Sequence, residues 1–288
     1  MSYEIPVNFI NQFRSNLEIG LQQKGSKLEQ CVRTEVQKAE FDFYDKIGAT
    51  SARKVTERHG DTPLISTPHD RRRVGLVDYD WADLIDKKDK IRLLIDPTSS
   101  YSTNARYAMG RARDEEIINA FTGVAYTGKN GEVAVPFDTN NTIPAATSGL
   151  TISKLIDVKT ALLGKNVDPE EEFYIGVTHK QLNDLLNDQK IQSADYNTVK
   201  ALVAGAVDSF MGFKFIHTEL FKTSSSNNRR IPAWVKSGML LAVGEDTTVD
   251  IGIRNDKRNA TQVYVSQSVG ATRMDEDKVF IVECQEKA

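Results

Sequence analysis

At 288 residues the chain can bury one large core or two smaller ones. Its apolar fraction of 40% and charged fraction of 27% are those of an ordinary globular protein. A formal net charge of −3 argues against tight nucleic-acid binding, which needs a concentrated positive surface. No apolar run approaches the roughly 18 residues that read as a membrane span. The opening MSYEIPVNF lacks the basic and apolar regions of a secretory signal, so none is expected. The only cysteines, Cys31 and Cys284, stand near opposite ends. They make no disulfide framework and are expected to be reduced thiols, which fits synthesis in a reducing cytoplasm.

In chain order, the N-terminal stretch reads as helical. Phe9, Phe13, Leu17 and Leu21 form an apolar stripe, which Leu28, Val32, Val36 and Ala39 continue beyond Gly25. The stripe is narrow: it packs on the chain's own core or serves as an arm. Residues 46–80 change character. Within residues 53–73, six bases (Arg53, Lys54, Arg58, Arg71, Arg72, Arg73) stand against three acids (Glu57, Asp61, Asp70) around the proline-containing GDTPLISTPHD. Such a segment buries no core of its own. It is either a disordered surface loop or a functional one, since long extended loops in compact domains are usually functional.

Residues 74–95 read as strand, with Val74, Leu76, Val77, Tyr79 and Trp81 before a charged connection, then Ile91, Leu93, Leu94 and Ile95. Asp96-Pro97 breaks the pattern and a long helix follows. Ser102 or Thr103 is placed to cap its start, and Gly123 to end it in a left-handed conformation. Ala105, Ala108 and Ala112 would admit a close backbone, and Ile117, Ile118 and Phe121 fill the last turn. The same helix carries Arg106, Arg111, Arg113, Asp114, Glu115 and Glu116. A helix both partly buried and heavily charged suggests contacts with other chains. Gly128-Lys129-Asn130-Gly131 is a hairpin turn, returning through Val133 and Val135. Residues 137–149, rich in Thr, Asn and Pro, read as a linker and a boundary.

From residue 150 the pattern becomes mixed. Thr151 caps a helix bearing Leu155, Val158 and Leu162, closed by Gly164. Phe173–Val177 is a strand, and Thr178 caps a helix with Leu182, Leu185 and Leu186. A third helix runs through Val199, Leu202, Val203 and Ala206. Met211-Gly212 is a turn before a strand through Phe213-Lys214-Phe215-Ile216. Residues 223–230 form a polar loop. Strands follow at 234–243, 249–253, 263–265 and 279–282, with Asp275-Glu276-Asp277 as the last turn.

Catalytic signatures are missing. There is no G-x-S-x-G elbow, no phosphate-cradling G-x-x-x-x-G-K-[ST] loop and no G-x-G-x-x-G after a strand. The four histidines, His59, His69, His179 and His217, lack metal-ligand spacing. The acid runs Asp114-Glu115-Glu116, Glu170-Glu171-Glu172 and Asp275-Glu276-Asp277 read as solvated faces, because adjacent acids on a helix point apart. Asp78-Tyr79-Asp80 matches a very common D-x-D pattern with no nucleotide signal beside it.

Asp89, Asp96-Pro97, Tyr101, Ala108, Gly110-Arg111, Asp114, Ile117-Ile118, Ala120 and Gly123 together resemble the spine-helix region of tailed-phage major capsid proteins of the HK97-type fold. The order Ala201-Leu202-Val203-Ala204-Gly205, Gly212-Phe213, then Gly270-Ala271-Thr272-Arg273 and Val279-Phe280-Ile281-Val282 is similar to theirs, so the resemblance covers most of residues 50–284. It implies an α+β, HK97-like fold with an N-terminal arm (1–45), an extended E-loop (46–80), a peripheral domain with the spine helix (81–149), an axial domain (150–255) and C-terminal strands (256–288). It implies a non-enzymatic protein without cofactor or metal. Such a protein builds an icosahedral shell of hexamers and pentamers around double-stranded DNA, with which contact is non-specific. It also implies a scaffolding protein, a portal and a decoration protein as partners, no membrane, and assembly in the bacterial cytoplasm. Arm residues Phe9, Phe13 and Leu17 would lie on neighbouring subunits. The E-loop bases Arg58, Arg71, Arg72 and Arg73 would meet the Asp114, Glu115, Glu116 face of the next chain. A cargo-loading compartment similar to encapsulins and an unrecognised α/β enzyme are the alternatives.

Overall fold

The computed structural model describes residues 20–55, 60–62, 64–86, 98–187, 209–223 and 228–286. Its elements are β1 (Arg33–Val36), β2 (Phe41–Ile47), β3 (His69–Gly75), β4 (Val77–Ile85), α1 (Thr98–Thr122), β5 (Ala125–Thr127), β6 (Val133–Val135) and β7 (Thr142–Ile143), then α2 (Ile152–Gly164), β8 (Phe173–Val177), α3 (His179–Asn187), β9 (Ser209–Phe210), β10 (Phe213–His217), β11 (Asn228–Val235), β12 (Met239–Arg254), β13 (Ala260–Arg273) and β14 (Val279–Gln285). They form three sheets, ordered β1-β12-β13-β4, β2-β3-β5-β6 and β7-β14-β11-β8-β10-β9.

The six-stranded sheet is apolar because both faces are covered. Side chains alternate across a strand. Phe173, Ile175 and Val177 of β8, with Val235 and Val282, pack against Leu155, Val158 and Leu162 of α2 and Leu185 of α3. Tyr174, Trp234 and Ile281 point the other way and meet Ile117 and Phe121 of α1. Thr151 caps α2 as expected, accepting from the Lys154 amide. Thr178 and Gln181 form a capping pair at α3: the Thr178 amide and hydroxyl both donate to Gln181 Oε1. Lys154 buries its ammonium, which donates to the carbonyls of Ala145, Ser148, Gly149 and Glu283. One lysine thereby ties the segment before α2 to β14.

Helix α1 lies across the β1-β12-β13-β4 sheet, with Ala105 and Met109 against Ile85, Val263 and Val265. Here several expectations are corrected. The helix begins at Thr98, so Ser102 and Thr103 lie inside it rather than at its start. Gly123 is not among the left-handed glycines, which are Gly25, Gly128, Gly131 and Gly212 among the described residues. The helix end is held instead by Arg273, buried on β13, whose Nη1 donates to the carbonyls of Ala120, Phe121 and Gly123. A guanidinium there satisfies orphan carbonyls and opposes the negative end of the helix dipole.

The N-terminal stripe does not continue as helix beyond Gly25. Residues 29–31 make one 3-10 turn and β1 follows, pairing in parallel with β12. Leu28 and Val32 are buried with Phe121 and Trp234 rather than set on a helical face. Phe9, Phe13 and Leu17, and the third helix expected near 199–206, lie outside the described residues. The extended loop of 46–80 is a hairpin, β2 paired with β3 from Phe41↔Gly75 to Ile47↔His69, with an excursion over 48–68. The linker at 137–149 contributes β7, a parallel edge of the six-stranded sheet. The expected break after residue 255 falls in the turn between β12 and β13. Both of those strands belong with α1, not with the six-stranded sheet.

Candidate assembly interface

The spine helix and the β2–β3 hairpin carry the charged residues singled out in the sequence, and the structure divides them into two groups. Asp114 is not available to another chain: it is 0% exposed. Its carboxylate accepts from the backbone amides of Lys27 at 2.9 Å and Leu28 at 3.1 Å, and from Ser26 Oγ and Gln23 Nε2. Arg111 reaches Gln22 and the Gln23 carbonyl. Arg113 is buried and binds Glu29 at 2.5 Å and Asp246 at 2.9 Å. The Arg113 guanidinium holds the Asp246 carboxyl below its ordinary pKa. These contacts strap residues 22–29 across α1.

The strap crosses at Gly110. A Cβ there would sit 2.5 Å from backbone atoms of Gly25 and Ser26, so any other residue would push the strap away. The close backbone was expected at the alanines; it occurs at the glycine. A glycine inside a helix costs about 1 kcal/mol against alanine, and it was the available signal for this crossing. Glu116 is engaged by the Tyr79 hydroxyl. Burial and that hydrogen bond push the tyrosine pKa well up. Of the three acids only Glu115 is exposed.

The three arginines of β3 divide likewise. Arg72 is 4% exposed and bound to Glu276 at 3.1 Å, so it belongs to the chain's own interior, and its expected role toward a neighbour is corrected. Arg71 pairs with Asp45 at 3.2 Å and lies over the Phe43 ring. Arg73 lies 5.0 Å from the Phe41 ring and 4.8 Å from Tyr126. Both keep partial access to solvent. Arg58 lies outside the described residues. The excursion exposes apolar side chains: Val55 is 86% exposed, Leu64 97% and Ile65 54%.

An open groove of about 940 Å³ beside β1 is lined by Glu29, Arg33, Glu170, Glu171, Glu172 and Lys236. Its acids do not converge on a vacant centre. Glu171 takes Lys278 and Ser237, and Glu172 takes Lys214 and Tyr174. Among the described residues no group of three or more His, Cys, Asp or Glu is placed to hold a metal ion, and no helix is long and apolar enough to cross a membrane. Burial pushes the thiol of Cys31 up to about 11 and that of Cys284 up to about 12, so both are held protonated at neutral pH.

A family model described as phage capsid protein matches residues 5–286. No curated protein matches the chain. Among solved structures, the capsid of cyanophage P-SCSP1u is similar with a TM-score of 0.73 at 11% identity, covering 97% of this chain and 94% of that one. The capsid of Ralstonia phage GP4 gives 0.73 at 11% identity, covering 96% and 95%. A chain of Mycobacterium phage Che8 gives 0.69 at 13% identity, covering 96% and 97%. At such identities the likeness establishes the fold, and the match over nearly all of the chain establishes the family.

Proposed function

We propose, from the premise that this chain belongs to the phage capsid protein family and is a structural major capsid protein, that its copies join through the β2–β3 hairpin and close into an icosahedral shell around double-stranded DNA. The observation that carries the assembly route is the excursion at 48–68, whose Val55, Leu64 and Ile65 are exposed. A second copy lying on them would bury them. Arg71 and Arg73 at the hairpin base and Glu115 on α1, which keep full or partial access to solvent, are placed to read a neighbour, with Arg58 and the arm residues Phe9, Phe13 and Leu17 as further contacts. Exposed ion pairs are worth about 0–1 kcal/mol each. Repeated head-to-tail around a ring, such contacts still add up, while each is weak enough for wrong ones to dissociate.

A scaffolding protein, a portal and a decoration protein are proposed as partners, with non-specific contact to packaged DNA and synthesis in the host cytoplasm. No catalytic step forms part of this reading. Expression followed by size-exclusion chromatography and negative-stain electron microscopy tests it. Closed shells are expected, alone or with the scaffolding protein supplied. A 32.2 kDa monomer under both conditions overturns the reading. Removing Val55, Leu64 and Ile65 together tests the route: shells that form as readily as before leave the hairpin tip without a role.

A further inference from the structure

The run Asp275-Glu276-Asp277 reads in the sequence as a solvated turn, yet each acid takes a base from a different part of the fold. Asp275 binds Lys46, at the end of β2, at 3.0 Å. Glu276 binds Arg72 of β3 at 3.1 Å and Arg273 of β13 at 2.8 Å. Asp277 binds Lys165, just after α2, at 2.8 Å. The backbone repeats the pattern. The Glu276 carbonyl accepts from Asn141 Nδ2 at 2.7 Å, beside β7, and the Met274 carbonyl accepts from Arg72 Nε at 3.4 Å. Lys278 continues it to Glu171 at 2.8 Å and Ser237 at 2.7 Å. One short turn therefore touches the hairpin, the end of α1 through Arg273, and the six-stranded unit.

The three attachments differ in burial. The Arg72 and Arg273 side chains are 5% and 0% exposed around a Glu276 that is 21% exposed. Lys46 and Asp275 are 34% and 26% exposed, and Lys165 and Asp277 are 44% and 53% exposed. A buried guanidinium pair cannot release its carboxylate without being left uncompensated. The outer pairs stand in water, where salt screens them. We infer that residues 275–277 position the β2–β3 hairpin against the six-stranded unit, with Glu276 as a fixed pivot and the Asp275–Lys46 and Asp277–Lys165 pairs as outer ties that hold the angle. The consequence for assembly rests on the shell reading: the hairpin's angle decides where its tip meets the next copy, and so the curvature of the shell.

The joint is testable on the unassembled protomer, independently of whether shells form. Cysteines introduced at the exposed positions Thr50 and Glu170 accept spin labels, because Cys31 and Cys284 are buried. Pulsed electron resonance then reports the distance between hairpin and six-stranded unit. Asp275→Asn with Asp277→Asn is expected to broaden that distribution without moving thermal unfolding, and raised salt is expected to broaden the wild type toward the same width. The charge swap Lys165→Asp with Asp277→Lys, which leaves the Asp275–Lys46 pair in place and reverses the other, is expected to keep the narrow distribution. A distribution equally narrow in wild type and the doubly neutralised variant overturns the inference, as does a swap that broadens it. Where shells form, the doubly neutralised variant is expected to give a wider spread of particle diameters. Failure of the wild type to form shells would count against the assembly reading and leave the distance measurement standing.

Discussion

The six-stranded unit buries leucine, valine and phenylalanine on one face and aromatic rings on the other, whereas the ground around α1 buries Asp114, Arg113, Arg273 and Arg72. Apolar packing is non-directional: each fully buried Leu or Phe contributes roughly 1.5–3 kcal/mol wherever it finds room. A buried charge is stable only with its own partners. In this chain most of the partners lie far away in sequence: residues 22–29 for Asp114 and Arg113, the end of α1 for Arg273 and Glu276 for Arg72. The first region supplies a body. The second specifies where the N-terminal strap and the hairpin attach to it.

Substitutions can break this comparison. Glu276→Ala leaves two buried guanidiniums without their carboxylate and is expected to cost about 3–5 kcal/mol, read from the denaturant midpoint. An unchanged midpoint would mean that charge does not hold the α1 region together. Leu155→Ala, in the apolar unit, is expected to cost about 2–5 kcal/mol. It should leave the strap in place, so limited proteolysis at residues 20–29 should not accelerate in the folded protein.

Asp114→Asn keeps the shape and loses charge and acceptor capacity, for about 1–3 kcal/mol. Here proteolysis of the strap should accelerate, which separates it from the leucine variant. Arg229 holds the Glu286 carboxyl down to about 2, with Gln181 and Lys180 adding hydrogen bonds. A depressed acid stabilises the folded state above its unfolded value of 4.5 and loses that contribution as pH falls toward 2. Urea unfolding should therefore weaken over that window, and Arg229→Met should flatten it. Arg71→Ala should change protomer stability by under about 1 kcal/mol, and an effect should appear only in assembly yield.

The apolar unit was legible because periodicity and caps act locally. Thr151, Leu155, Val158 and Leu162 mark α2 within a dozen residues, and Phe173–Val177 is a β-strand by composition alone. The family resemblance rested on order along the chain and survived comparison. What could not be read was pairing at a distance. Leu28 and Val32 stand four apart, as on a helix, but they reach the core from a turn and a bend before β1. Asp114 and Glu115 look alike in the sequence. One is buried under the strap and the other faces water, because α1 is covered on one side only. The acids of 275–277 were equally mute, since their bases come from residues 46, 72, 165 and 273.

The long reach of these pairings also sets an order of events during synthesis. β1 pairs with β12, Arg33 opposite Leu240, and Trp234 donates to the Cys31 carbonyl. Arg72, at the root of the hairpin, has no carboxylate until Glu276 has been made. Contacts between such distant segments close late and slowly. A nascent chain can therefore pair β3 with β5 before residue 276 has been made, and a copy truncated before that residue lacks the carboxylate that fixes Arg72.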